Sequence, residues 1–244
     1  PRHGEAGLAA TVRGALDLAP ERICLFGYAH VPWMKKHQRL IDETALPGLS
    51  ARFAQYMLAA RLLSEAGYVW IGLDHFARPD DSLAKAARAG NLRRNFQGYT
   101  TDDAIARIGL GPSAIGALPQ GFVQNHTAMH DYRDAIGRGE LPIARGLALD
   151  EDDRLRGSII ERLMCDLEVD LAGVCRAFGR DAEGFTDELE LLADMRRDWL
   201  VEVDETDAGP VLRVTSRGRP FVRAACAAFD AYLRQGEVRH ARAV

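Results

Sequence analysis

The chain has 244 residues, room for one large domain or two smaller ones and for a sizeable core. Hydrophobic residues make up 47% and charged residues 27%, the balance of a globular protein, and no apolar run approaches the ~18 residues of a membrane span. Net charge is −4 and uneven: residues 1–150 hold 17 Lys and Arg against 15 Asp and Glu, whereas residues 151–244 hold 14 against 20. Neither half has the basic excess of a polyanion binder, so neither a nucleic-acid nor a membrane partner is expected. The four cysteines, Cys24, Cys165, Cys175 and Cys226, are too scattered for a disulfide framework, and a reducing cytoplasm is the expected compartment.

Glu5 to Leu18 has helical periodicity, and Arg22 to Phe26 is a short apolar strand. Helix followed by strand is the repeat of a parallel sheet or barrel. Gly27 to Gly48 reads as a long irregular loop, of the length usually kept for function. Ser50 is placed as the N-cap of a strong helix over Ala51 to Ala66, ended by Gly67. Tyr68 to Leu73 is the next strand, and polar Asp74, His75, Arg78, Asp80 and Asp81 crowd where it ends. A short helix stopped by Gly90 follows, then an aromatic-polar loop, Asn95 to Thr101. In α/β folds the loops beyond strand carboxyl ends carry ligands.

Ile105 to Leu118 is apolar but dotted with glycines, as where a sheet edge bends or backbone approaches a ligand. Thr127 to Gly137 reads as a helix and Ala144 to Leu149 as an extended segment. Beyond Asp150 the texture changes. Asp150 caps a helix to Cys165, Asp170 caps a second to Phe178, and Ala182 to Asp198 is a third. Leu200–Val203 and Val211–Val214 pair as a hairpin, and Ser216 caps a last helix to Leu233, with Gln235 to Val244 a tail. Helices, hairpin, helix is winged-helix-like. A domain boundary is placed at residue 150, giving domains 1–150 and 151–244.

Several segments together resemble one family. DHFARPDD (74–81) followed by RNFQGYTT (94–101), FGYAHVPWMKKHQR (26–39), IGLGPSAIG (108–116) and ARGLALDEDD (144–153) are similar, in the same order, to segments of the oxygen-independent coproporphyrinogen III oxidases. These are radical S-adenosylmethionine (SAM) enzymes of haem synthesis. The resemblance implies an α/β fold: late strand-helix units of an incomplete (β/α) barrel plus an adjoining sheet, followed by the winged-helix-like C-terminal domain. It implies SAM and a [4Fe-4S] cluster as cofactors, coproporphyrinogen III as substrate, and an electron donor and acceptor that the sequence does not name. A monomer is expected. The family's reaction converts two propionates to vinyls through a 5′-deoxyadenosyl radical, giving protoporphyrinogen IX. The family's cluster motif, C-x-x-x-C-x-x-C, is absent, so the chain reads as a C-terminal portion holding no cluster ligand and inactive by itself.

By the same resemblance, Ala29, Phe96, Gln97 and Ile115 belong to the pocket of a second SAM molecule. The residue types suit that use: an adenine ring takes an aromatic face and an amide that donates and accepts at its edge. Arg78, Asp74 and His75 are the candidates for substrate contact, with Arg93 and Arg94 weighed beside Arg78 as carboxylate-capturing arginines and Arg78 first of the three. Arginine captures carboxylates, four of which the porphyrinogen carries, and an Asp-His pair orients an imidazole. Against these stand plainer readings: Phe96 as a core aromatic, Arg78 as a partner of Asp80 or Asp81, and Asp74–His75 as a structural pair. Two other functions remain in view at this point. One is a related haem chaperone that binds haem without oxidising coproporphyrinogen; RNFQGYTT favours the oxidase. The other is a nucleic-acid-binding winged helix, resting on the seven arginines after Val211.

Overall fold

The computed structural model describes residues 3–233. Helix α1 (Glu5–Asp17) leads into strand β1 (Arg22–Cys24). The loop from Gly27 to Gly48 is irregular apart from two 3₁₀ turns, Lys36–Leu40 and Glu43–Ala45. The Gln38 side chain clasps it: the amide accepts from Val31 N (2.6 Å) and donates to the Ala29 carbonyl (3.1 Å). Helix α2 (Leu49–Glu65) begins at Gly48, so Ser50 lies inside the first turn and is not its cap. With no side chain accepting there, the first amides of α2 look to solvent. Buried Tyr56, Ala59, Ala60 and Leu63 form one face of α2, spaced by about one helical turn.

Strand β2 (Val69–Ile71) does not run on into a polar loop as expected. It turns at Gly72, whose φ of +51° lies in the left-handed region. The chain returns as β3 (His75–Ala77), which pairs antiparallel with both β2 and β1, giving the order β1-β3-β2. β1 and β2 are therefore parallel to each other, as the helix-strand repeat predicted, but β3 lies between them. Helix α3 (Ser82–Arg88) is capped by Asp81, whose carboxylate accepts from Leu83 N (2.7 Å) and also holds Arg22 (2.9 Å).

The expected loop at Asn95–Thr101 is a hairpin, β4 (Arg93–Asn95) against β5 (Gly98–Thr100). Asn95 Oδ1 accepts from Gln97 N (2.8 Å), a side chain closing its own turn, and this sets Phe96 and Gln97 at the tip. Strands β6 (Ile115–Leu118), β7 (Gly121–Asn125) and β8 (Ile143–Ala148) form an antiparallel sheet, with helix α4 (Met129–Gly137) between the last two. The glycine run before β6 is tied down by buried Asn125, whose amide donates to the carbonyls of Gly109 and Gly111 (2.9 Å each).

Helix α5 (Glu151–Asp166) starts at a capping box formed by Asp150 and Asp153. Strand β9 (Glu168–Asp170), unforeseen in the sequence, precedes helix α6 (Leu171–Ala177), capped by Asp170 as predicted. The single helix expected over Ala182–Asp198 is broken into a 3₁₀ turn at Ala182–Phe185, α7 (Thr186–Glu190) and α8 (Ala193–Arg197). The expected hairpin is present as β10 (Val201–Thr206) and β11 (Gly209–Val214), with β9 on the far edge of β11. Ser216 does not cap the last helix; Thr215 Oγ1 accepts from Gly218 N, a 3₁₀ turn follows at Arg219–Phe221, and α9 covers only Val222–Ala227. The tail from Gln235 lies outside the described residues.

The larger core draws Ile71, Leu83, Leu92 and Tyr99 together with Ile159, Leu163, Leu171, Leu212 and Phe229, all buried. A smaller one joins α1 and α2 through Val12, Ala59, Leu63, Tyr68 and Phe76. The first core is what holds the 72–75 turn and the Phe96 hairpin against α5 and α9. No helix among the described residues is long and apolar enough to cross a membrane.

Candidate functional site

A cleft of about 270 Å³ opens between the β1 end, the 72–75 turn, the β4–β5 hairpin and α9. Phe26, Tyr56, Asp74, His75, Arg94, Phe96, Gln97 and Arg223 line it. Asp74 and His75, singled out in the sequence, sit at its base, both about 7% exposed. The Asp74 carboxylate meets His75 Nδ1 at 2.7 Å, so the imidazole is oriented by the acid and presents its other nitrogen away from it. Gly98 makes room for that ring: a Cβ there would lie 2.8 Å from His75 Nε2. Tyr99 and Phe26 abut the same imidazole edge-on, with centroids 5.1 and 6.4 Å away.

The turn under this pair is held by side chains from distant parts of the chain. Tyr56 Oη donates to the Leu73 carbonyl (2.5 Å) and Trp70 Nε1 donates to the same oxygen (2.8 Å). Tyr99 Oη accepts from Leu73 N and donates to Met164 O, both 2.9 Å. Burial pushes the Tyr99 phenol up to about 12 and raises that of Tyr56 as well, so both remain neutral donors. Arg219 donates to the carbonyls of Gly72 (2.7 Å) and Trp70 and stacks over the Trp70 ring at 4.7 Å. Burial lowers its pKa to about 10, which leaves it charged at neutral pH. Of these four side chains, Tyr99 alone lies in one of the segments that carry the resemblance, RNFQGYTT. Only the fold shows that they converge on one turn.

The remaining candidates are distributed around the cleft. Phe96, 60% exposed, and Gln97 stand on its rim, so Phe96 is not the core aromatic of the plainer reading. Phe96 is braced edge-on by Phe122 of β7 (5.1 Å). Ile115 of β6 lines a neighbouring groove of about 290 Å³ that shares Phe96 as a wall. Ala29 lies in the long loop just after Tyr28, which lines a third hollow sharing Phe26 and Tyr56 with the cleft. Arg78 is elsewhere. β3 carries the chain away from the cleft, so Arg78 emerges at the opposite end of that strand and donates to Ala19 O (2.9 Å).

An aromatic face and a free-standing amide on a cleft rim fit a SAM adenosyl group. The cysteines do not fit a cluster. Cys24 is exposed alone on β1, while Cys165, Cys175 and Cys226 are buried, burial pushing Cys165 and Cys226 up to about 12. Among the described residues no three His, Cys, Asp or Glu side chains gather as a metal site. Anaerobic reconstitution of this chain with iron and sulfide is expected to leave it without a stoichiometric cluster by iron analysis and absorption. A [4Fe-4S] centre at one per chain would contradict that.

No family model matches the chain. Among curated proteins, it is 48% identical over all 244 residues to the oxygen-independent coproporphyrinogen III oxidase of Bradyrhizobium diazoefficiens, covering 53% of that protein. It is 37% identical to that of Escherichia coli, over 96% of this chain and 51% of the relative. A solved structure of the E. coli coproporphyrinogen III oxidase, described as a radical SAM enzyme, superposes with a TM-score of 0.87 at 36% identity, covering 95% of this chain and 53% of that one. Its relatives are oxygen-independent coproporphyrinogen III oxidases. The chain spans about half the length of these curated relatives, and its mixed α/β fold is that of the corresponding part of the solved oxidase.

Proposed function

We propose that the chain is the C-terminal portion of an oxygen-independent coproporphyrinogen III oxidase, and that it supplies one side of a SAM-binding and substrate-binding site. The observation that carries this reading is the placement of Phe96 and Gln97 at a hairpin tip, on the rim of the cleft that holds the Asp74–His75 pair. When bound, SAM and an iron-sulfur cluster supply hydrogen abstraction from a substrate propionate. The residues here bind and orient. Phe96 offers a ring face to the adenine, Gln97 offers an amide to its edge, and Asp74 fixes the His75 ring toward the cleft. Ile115 is assigned to the groove wall that it shares with Phe96, and Ala29 to the loop beside the Tyr28 hollow. The cluster ligands belong to sequence outside this chain.

The order α5–β9–α6–α7/α8–β10–β11 supports a winged-helix reading of residues 151–244, with the β10–β11 hairpin as the wing. Its role is assigned to the site and not to nucleic acid. Arg219 and Arg223 face the 72–75 turn and the cleft, and the segment is acidic overall, 14 basic residues against 20.

Equilibrium dialysis of the chain against SAM tests the pocket. Phe96→Ala is expected to weaken binding by about 1–3 kcal/mol, the worth of one ring face to a stacked base, and Gln97→Ala by less. Affinity unchanged in both variants would rule the assignment out.

A further inference from the structure

Arginines around the cleft divide into two kinds. Three on β4 and α5 that do not line it are paired: Arg93 with Glu161 (3.2 Å), Arg162 with Asp166 (2.6 Å), and Arg156 with Asp152 (2.6 Å) and Glu188 (3.0 Å). Arg219 gives its donors to backbone carbonyls. Arg94 and Arg223 differ. Among the described residues neither has an acidic side chain within ion-pairing distance. Arg94 Nε is buried and has no hydrogen-bond acceptor. Its guanidinium lies over the Tyr99 ring at 5.4 Å, beside Cys165 and Cys226, neutral groups that cannot balance it. Both arginines line the cleft, and the acid lining it, Asp74, is engaged by His75.

Arg94 is half-buried, and a donor shut away from water without an acceptor, as its Nε is, is costly unless a ligand completes it. A planar guanidinium takes a carboxylate by two parallel hydrogen bonds. The cleft is too small for a whole tetrapyrrole, at about 270 Å³, and large enough for a single carboxylate-bearing arm. We propose that Arg94 and Arg223 form a carboxylate-binding subsite in this cleft. Resting on the function proposed above, the carboxylate comes from a propionate of the substrate or from the amino-acid end of SAM. Arg94, half-buried, is the anchor, and Arg223, exposed on α9, closes on the carboxylate from the mouth.

The sources separate by binding to the chain itself. Coproporphyrin III, the stable oxidised form of the substrate, is titrated by fluorescence, with its tetramethyl ester as the uncharged control, and SAM is titrated by equilibrium dialysis. Arg94→Met and Arg223→Met are compared with Arg93→Met, whose arginine is already paired with Glu161. Loss of a charge-assisted bond is expected to weaken one of the two carboxylate ligands roughly ten- to a hundredfold in Arg94→Met, with a smaller loss in Arg223→Met and little change in Arg93→Met. Weakened coproporphyrin with ester binding unaffected assigns a propionate; weakened SAM assigns its carboxylate. Wild-type affinity for both ligands in Arg223→Met, a surface change that leaves the fold intact, overturns the two-arginine site. So does equal weakening of the ester, or a wild-type chain that binds neither ligand. Turnover by an enzyme containing the chain reads out the proposed function independently of these affinities.

Discussion

Gly72→Ala is expected to destabilise the chain by about 2–5 kcal/mol, read from chemical denaturation. Two costs combine. A left-handed φ of +51° is strained for alanine, at about 1–2 kcal/mol. The new Cβ would also overlap the Tyr99 ring and hydroxyl, and overpacking of that kind costs about 1–3 kcal/mol. Tyr99 cannot yield freely, because its hydroxyl joins Leu73 N to Met164 O. Moving it strands two buried backbone groups, each worth about 1–3 kcal/mol. Tyr99→Phe removes the hydroxyl without strain at Gly72 and is expected to cost less. In the double variant the two effects should fall short of additivity, since part of the Gly72→Ala penalty is the displaced hydroxyl. Full additivity, or a Gly72→Ala loss under about 1 kcal/mol, would mean that the turn is not held as described.

Local chemistry made some of this fold legible and long-range convergence hid the rest. Asp150 and Asp170 were readable as caps because their carboxylates act within three residues. The β10–β11 hairpin was readable from alternation across an Asp- and Gly-rich turn. His75 reads as part of a polar loop because a three-residue strand leaves no periodicity, while Asp74 does lie in the turn that precedes it. The strand is recognised only through its pairing with β1 and β2. That misreading also placed Arg78 beside Asp74, when β3 separates them. The Phe96–Gln97 turn has no glycine or asparagine at its two central positions; its signal lay in the flanking Asn95 and Gly98.

Phe96, Gln97, Asp74 and His75 were legible as a set through their segments, and the structure does bring them to one cleft. Tyr56, Arg219 and Arg223 were not, and nothing within RNFQGYTT marked Tyr99 as the side chain that ties Leu73 to Met164. Arg219 reaches Gly72 and Trp70 from 147 and 149 residues away, and no spacing rule spans that distance. The broken α7–α8 segment failed for another reason. Its apolar positions suit one continuous helix, yet it divides at Leu191–Leu192, where Leu192 turns into the main core while Leu191 stays exposed.

The central claim is that this chain forms the SAM- and substrate-facing half of a coproporphyrinogen III oxidase without holding the cluster. Its most direct test is anaerobic turnover. The chain is joined to the part of the Bradyrhizobium diazoefficiens oxidase that it does not match, and conversion of coproporphyrinogen III to protoporphyrinogen IX is followed with and without Phe96→Ala and Gln97→Ala. The prediction is product from the unaltered fusion, and turnover in the double variant reduced roughly a hundredfold, from a loss of about 3 kcal/mol of ligand binding and positioning, with cluster absorption unchanged. A fusion that holds its cluster but makes no product, or a double variant that turns over as fast as the unaltered fusion, would contradict the claim.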